Sequence, residues 1–229
     1  MEGTVMKSTM LIQNDLVFKH ICRRMHPALM FVLVLLLSGC IGGGSRTRMV
    51  KKYTLEYSSP VVQGISSATG TIRVERFTVA QNYNSTAMVY SPEAFKRQEY
   101  QHSRWRVNPG DMVTDYLLRD LRSQGLFNAV FSYRDTEDAR YILEGEVDEF
   151  LEVDEKEGRK ALLGITITLL DMSQKEITKR IIFQKSYRIT EAIEERKPPG
   201  LVKGMSRAME KFSGQLIQDL HRALAAKSS

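Results

Sequence analysis

Three long stretches in the second half of the chain alternate apolar and polar residues with a period of two. Residues 141–153 set Tyr141, Leu143, Val147, Leu151 and Val153 on one side. Residues 161–170 do the same with Leu163, Ile165, Ile167 and Leu169. Residues 177–189 place Ile177, Ile181, Phe183, Tyr187 and Ile189 at odd positions, with Thr178, Arg180, Gln184, Ser186 and Arg188 between them. Successive side chains of a strand point to opposite faces, so these runs call for an antiparallel sheet with one face buried and one wet. The turn Asp171–Lys175 joins the last two as a hairpin. A sheet with one apolar face needs a second layer to cover it.

That layer is legible in two helical patterns. Asn108 is an N-cap candidate, Pro109 fits the first helical position, and Asp111 puts a carboxylate in the first turn. Met112, Val113, Tyr116, Leu117 and Leu121 follow at helical spacing, and Gly125 supplies the C-terminal cap. Pro198-Pro199-Gly200 opens a closing helix of about 25 residues. Its stripe is Leu201, Met205, Ala208, Met209, Phe212, Leu216, Leu220 and Leu224, opposite Lys203, Arg207, Glu210, Lys211, Gln218 and Arg222. Such a stripe must be buried against something. Shorter strands are predicted at 51–57, 71–79 and 88–90, with Phe95–Gln101 pairing back on the last and Phe127–Tyr133 returning to strand. The expected fold is α+β: a mainly antiparallel β-sheet with two helices packed on one face, formed by residues 51–229 as one domain.

The amino-terminal part reads differently. Residues 28–37 are ten apolar positions without a charge. A membrane-spanning helix needs ~20, so this run is too short to anchor the chain. Lys19, Arg23 and Arg24 precede it, and small residues follow it, as in a secretory signal peptide. Leu37-Ser38-Gly39-Cys40 resembles the lipobox of bacterial lipoproteins. That resemblance implies cleavage between Gly39 and Cys40, a thioether-linked diacylglycerol on the Cys40 sulfur, and acylation of the new amino terminus. Residues 1–39 would be the lipoprotein signal peptide and 40–50 a lipidated tether. Gly42-Gly43-Gly44 suits a tether, since three glycines resist helix and strand alike. Ten such residues have an r.m.s. reach of about 17 Å.

Charge and chemistry narrow the function. The chain carries a formal +6. Removing residues 1–39 takes away four basic and two acidic side chains and leaves +4, spread along the sequence. With secretion, that argues against nucleic acid as a partner. Cys22 leaves with the signal, so Cys40 is the one remaining cysteine and no intrachain disulfide can form. His102 and His221 are the histidines that remain. No His-Glu-x-x-His, Gly-x-Ser-x-Gly or phosphate-binding loop occurs. No catalytic residue, metal site or cofactor is expected beyond the lipid on Cys40, and the chain is not expected to be an enzyme.

Two features outside the core pattern remain. Glu144, Glu146, Asp148 and Glu152 alternate with apolar residues, which places them on the exposed face of a strand, where Arg180 and Arg188 can balance them. Arg104-Trp105-Arg106 contains the only tryptophan. Its composition suits a partner-binding hot spot. The favoured alternative is that Trp105 seals the edge of the core, where the hairpin meets the helix. Met205, Met209 and Phe212 fit ordinary core better than a lipid groove, because they keep helical spacing.

Taken in order, these landmarks resemble the ABC-type transport auxiliary lipoprotein component family, the PqiC-like proteins. The likeness spans about residues 52–226. It runs through Lys52-Tyr53-Thr54-Leu55, Ile72 to Phe77, Met88-Val89-Tyr90, Arg104-Trp105 with Pro109, Tyr141 to Val147, and Leu169-Leu170-Asp171. The departures are Val107-Asn108 after the tryptophan and Met172-Ser173-Gln174 at the turn, where the family has an acidic residue with Pro-Leu and a glycine. The resemblance implies a non-enzymatic periplasmic subunit anchored in the outer membrane of a Gram-negative bacterium. It would dock on the MCE-domain protein of an ABC system that moves lipids between membranes, and would assemble as a homo-oligomeric ring. Ile41, where an aspartate would signal inner-membrane retention, agrees with export. A reading from another class is a lipoprotein activator of a peptidoglycan synthase, which the short tether disfavours. A lipid hydrolase lacks its nucleophile.

Overall fold

The computed structural model describes residues 49–65 and 70–228, all within one unit that begins at Met49. The signal, Gly39 and Cys40 lie outside the described residues. Nine strands form one sheet: β1 (Lys51–Tyr53), β2 (Thr71–Val74), β3 (Thr78–Val79), β4 (Ala87–Ser91), β5 (Gln98–Trp105), β6 (Ala129–Ser132), β7 (Tyr141–Glu155), β8 (Gly158–Asp171) and β9 (Ile181–Ala192). Among the described residues two helices accompany it, α1 (Pro109–Gln124) and α2 (Pro198–Ser228). The architecture is α+β, as expected.

The three alternating runs become β7, β8 and β9, an antiparallel meander paired along nearly its whole length. Leu163, Ile165, Ile167 and Leu169 are all buried. The other edge of β7 is shared. β2 pairs with its first third, β3 with its middle and β4 with its last third, each parallel to it. From there the sheet forks into two wings. One is β2–β6, parallel, and the other is β4–β5–β1, antiparallel then parallel. The predicted strand 71–79 is thus two short ones, broken at Glu75–Phe77, where the ring of Phe77 packs on Gly145.

Bulges correct two parts of the expected pattern. The β7–β8 register shifts between Val147 and Glu149, so Asp148 is an extra residue. One extra residue sends every later side chain to the opposite face. Phe150 therefore takes the core position opposite Leu163, and Glu152 turns inward to 1% exposure. A second shift leaves Ile182 unpaired between Phe183 and Ile181. Ile181 faces out, 56% exposed, and Ile177 sits in a 3₁₀ turn at 75%. These two isoleucines are not core residues.

The helices follow their signals. The Asn108 side chain accepts from the Gly110 N–H at 2.9 Å, Pro109 stands at the start, and Gly125 is left-handed with φ 65°. All eight stripe residues of α2 are buried. α2 crosses β8 and β9 closely enough that a Cβ on Gly204 would lie 2.9 Å from the Cβ of Ala161. Residues 54–62 form a strap pinned to both helices. The Glu56 N–H donates to the Ser206 hydroxyl, Tyr116 donates to the Leu55 carbonyl, and Tyr57 and Ser59 donate to the Asp120 carboxylate.

Candidate interaction surface

The Arg104-Trp105-Arg106 segment ends β5 and leads into α1. Trp105 is 1% exposed and meets Phe150 edge-on, with ring centroids 5.1 Å apart. It seals the core and presents no contact surface. The β4–β5 register explains Arg104. Ala87 pairs with Arg104 but Val89 pairs with Glu99, so β5 loops out between them. The Arg104 guanidinium donates to the carbonyls of Tyr100 and Ser103 and so closes that loop. Arg106 is exposed, and its backbone N–H donates to the Tyr53 carbonyl at 2.7 Å. Of the three contact candidates, Arg106 is exposed, Arg104 is half-buried and pairs with Glu99 at 3.7 Å, and Trp105 is buried.

The carboxylates divide in the same way. Glu144 and Glu146 are exposed, and Glu149 pairs with Arg188 at 2.9 Å. Arg180 instead donates to the Gln174 carbonyl within the β8–β9 turn. Buried Glu152 accepts from Arg159 at 2.8 Å and from the Tyr100 hydroxyl at 2.7 Å. Burial, with the Glu152 carboxylate beside it, pushes the Tyr100 phenol up. Asp120 holds the strap, and burial and that carboxylate raise Tyr57 likewise. Asp171 begins the β8–β9 turn with no exposed side-chain surface and meets Lys227 at 2.5 Å. Burial alone would raise its carboxyl, but Lys227 and the Ser173 hydroxyl and N–H hold it well below the usual carboxylate range.

Each buried acid is thus engaged by a cation or a hydroxyl that ties two elements together. A general acid or base needs a free position facing a substrate, and these have none. No group of residues that could hold a metal ion occurs among the described residues. No described helix is long and apolar enough to cross a membrane. An open groove of about 630 Å³ runs along β5, lined by Tyr90, Gln98, Tyr100 and His102 among others. It is open to solvent, unlike the enclosed pockets that take small molecules.

Exposed apolar side chains lie at both ends of β7, besides Met49, Val50, Val61 and Val107 elsewhere. Beyond its carboxyl end is the β4–β5 turn, residues 92–97, with Phe95 fully exposed. Beyond its amino end is the β8–β9 connection, with Met172, Ile177 and Ile181 exposed. Period-two reading hid the isoleucines, since it assigned them to the core. Phe95 carried no periodic signal at all.

A family model described as ABC-type transport auxiliary lipoprotein component matches residues 53–217. Among curated proteins none matches the sequence. The fold is shared with a crystal structure of protein XCC0632 from Xanthomonas campestris, of the DUF330 family, at TM-score 0.71 and 15% identity over 78% of this chain and 99% of that one. It is also similar to an uncharacterized protein at TM-score 0.59 and 12% identity, covering 75% of this chain and 99% of that one. A protein from Chlamydia trachomatis, CT253, matches at TM-score 0.50 and 8% identity over 69% and 99%.

Proposed function

The chain belongs to the ABC-type transport auxiliary lipoprotein component family, and from that premise we propose that it is an outer-membrane-anchored periplasmic subunit of an ABC/MCE-type lipid transport system. The family match over residues 53–217 carries this reading, because it spans nearly the whole described domain. Cys40 holds the lipid, and residues 40–50 tether the domain to the membrane. The domain acts by binding protein: it docks on the MCE component, and copies of it assemble as a ring. The apolar cargo travels in the MCE channel, which agrees with the open grooves of this domain. Arg106 remains a contact candidate, while Trp105 and Arg104 belong to the structure of the β5 end.

The test is co-purification of residues 49–229 with the periplasmic part of an MCE protein from the same organism. Association at moderate salt is expected. No association under any salt condition sinks the transport reading and promotes the peptidoglycan synthase activator.

A further inference from the structure

The β4–β5 turn holds an aromatic side chain where two costs coincide. Phe95 has φ 65°, in the left-handed region that bulky L residues rarely occupy. It is the one non-glycine described residue with positive φ, and its ring is wholly in solvent. The turn is nonetheless built to hold it there. The Ser91 hydroxyl donates to the Glu93 carbonyl at 2.9 Å, and Arg97 donates to the Ser91 hydroxyl at 2.8 Å. The Lys96 N–H also donates to the Glu93 carbonyl, and its ammonium pairs with Glu93 at 3.0 Å. The result is a single apolar point flanked by an ammonium and a guanidinium.

The topology says which way that point faces. β1 runs parallel to β5, β5 antiparallel to β4, and β4 parallel to β7. The chain therefore enters β1 from the end of the sheet where the β4–β5 turn projects. Lys52 and Ala87 share Arg104 as register partner, so they lie level. From Ala87 to Ser91 is four residues of strand, about 13 Å at 3.3 Å each, with Phe95 beyond.

Resting on the reading of Cys40 as the lipid anchor, we propose that the Phe95 turn is a second membrane contact. Phe95 inserts at the headgroup–acyl boundary of the leaflet that holds the lipid, while Lys96 and Arg97 meet its phosphates. A covalent lipid fixes the chain to the membrane but not the orientation of the body. One aromatic wedge on the entry side would fix it, as apolar side chains with flanking cations do in interfacial proteins. The β8–β9 connection, with Ile177 and Ile181, would then face away from the bilayer.

The test uses the full lipidated protein carrying Cys22→Ser, with Phe95→Cys or, in a second variant, Ile177→Cys. Cys40 is closed to labelling by its lipid, so an environment-sensitive fluorophore reports one position. The vesicles contain phosphatidylethanolamine and phosphatidylglycerol, with and without brominated acyl chains. At position 95 the emission should shift to the blue and fall at least twofold with the brominated lipid. At position 177 it should do neither. Equal behaviour at the two positions, or quenching at 177 alone, overturns the proposal. So does a blue shift at 95 that appears only when the MCE partner is added, which would make the turn a protein contact. Mass spectrometry separates the premises: a protein without lipid on Cys40 overturns the anchored reading and this inference with it. A lipidated, vesicle-bound protein unquenched at 95 overturns the inference alone.

Discussion

Replacing Phe212 by alanine should test the joint between the helical layer and the sheet. Phe212 has no exposed surface and meets Tyr187 of β9 edge-on at 5.2 Å between centroids. Tyr187 is itself held by its hydroxyl, which donates to Asp219 of α2 at 2.6 Å. The site cannot collapse easily, because its far wall is pinned. A Phe→Ala change in such a site costs about 3–5 kcal/mol. A domain of this size loses roughly 2–4 °C of melting temperature per kcal/mol, so the shift should be about 6–20 °C. Lys211→Ala is the matched control one residue away. Its side chain is 60% exposed and pairs with Glu191, which Arg207 also holds. Losing one of two cations should cost about 0.5 kcal/mol, within the range of exposed pairs. Thermal unfolding of residues 49–229, followed by circular dichroism, measures both. Equal shifts would refute the burial of the α2 stripe and the packing of α2 on β9.

Three further outcomes are expected. Gly145→Ala puts a Cβ within 2.3 Å of the Phe77 ring and should cost about 1–3 kcal/mol as overpacking; the cost should shrink in a Phe77→Leu background, and strict additivity in a denaturant-melt double-mutant cycle would count against that contact. Asp171 has its carboxyl held below its ordinary value of about 3.9, so its contribution is present above about pH 4 and is lost as pH falls through the lower folded value; Asp171→Asn should flatten the acid limb of a stability-versus-pH curve, and an unchanged limb would remove Asp171 as an acid-sensitive latch. Cys40→Ala should leave the chain unprocessed or soluble, and normal processing with membrane fractionation would remove Cys40 as the lipid carrier.

The helices were legible because their signals are local. Asn108, Pro109 and Gly125 act within one turn of themselves, and the α2 stripe needs only its own period. The strands were legible only up to their first irregularity. Nothing in the residues around Asp148 or Ile182 marks an extra one, since a bulge is fixed by the partner strand rather than by the bulged residue's chemistry. Past Asp148 the parity reading therefore put Glu152 outside and Phe150 outside the core pattern. Past Ile182 it put Ile177 and Ile181 inside. The five short parallel pairings were invisible for a related reason: β2, β3 and β4 are too brief to show which way their neighbours run. Trp105 was correctly suspected of sealing the core, but its partner Phe150 lay on the wrong side of the bulge to be named.

The strap between β1 and β2 decides how the domain bears tension. A pull on the chain at its amino terminus meets β1 first. Its three register pairs with β5 lie along the direction of pull, so they are sheared together rather than unzipped one by one. Behind them the load passes to buried Leu55, to the Ser206 hydroxyl on α2, and through Tyr57 and Ser59 to Asp120 on α1. The Val62 N–H and the Pro60 carbonyl add a third fastening at Gln124. The tension is thus shared between the two helices, and the long β7–β9 meander stays outside the load path. A tethered body tugged from its amino terminus would part with β1 before any strand of the meander was disturbed.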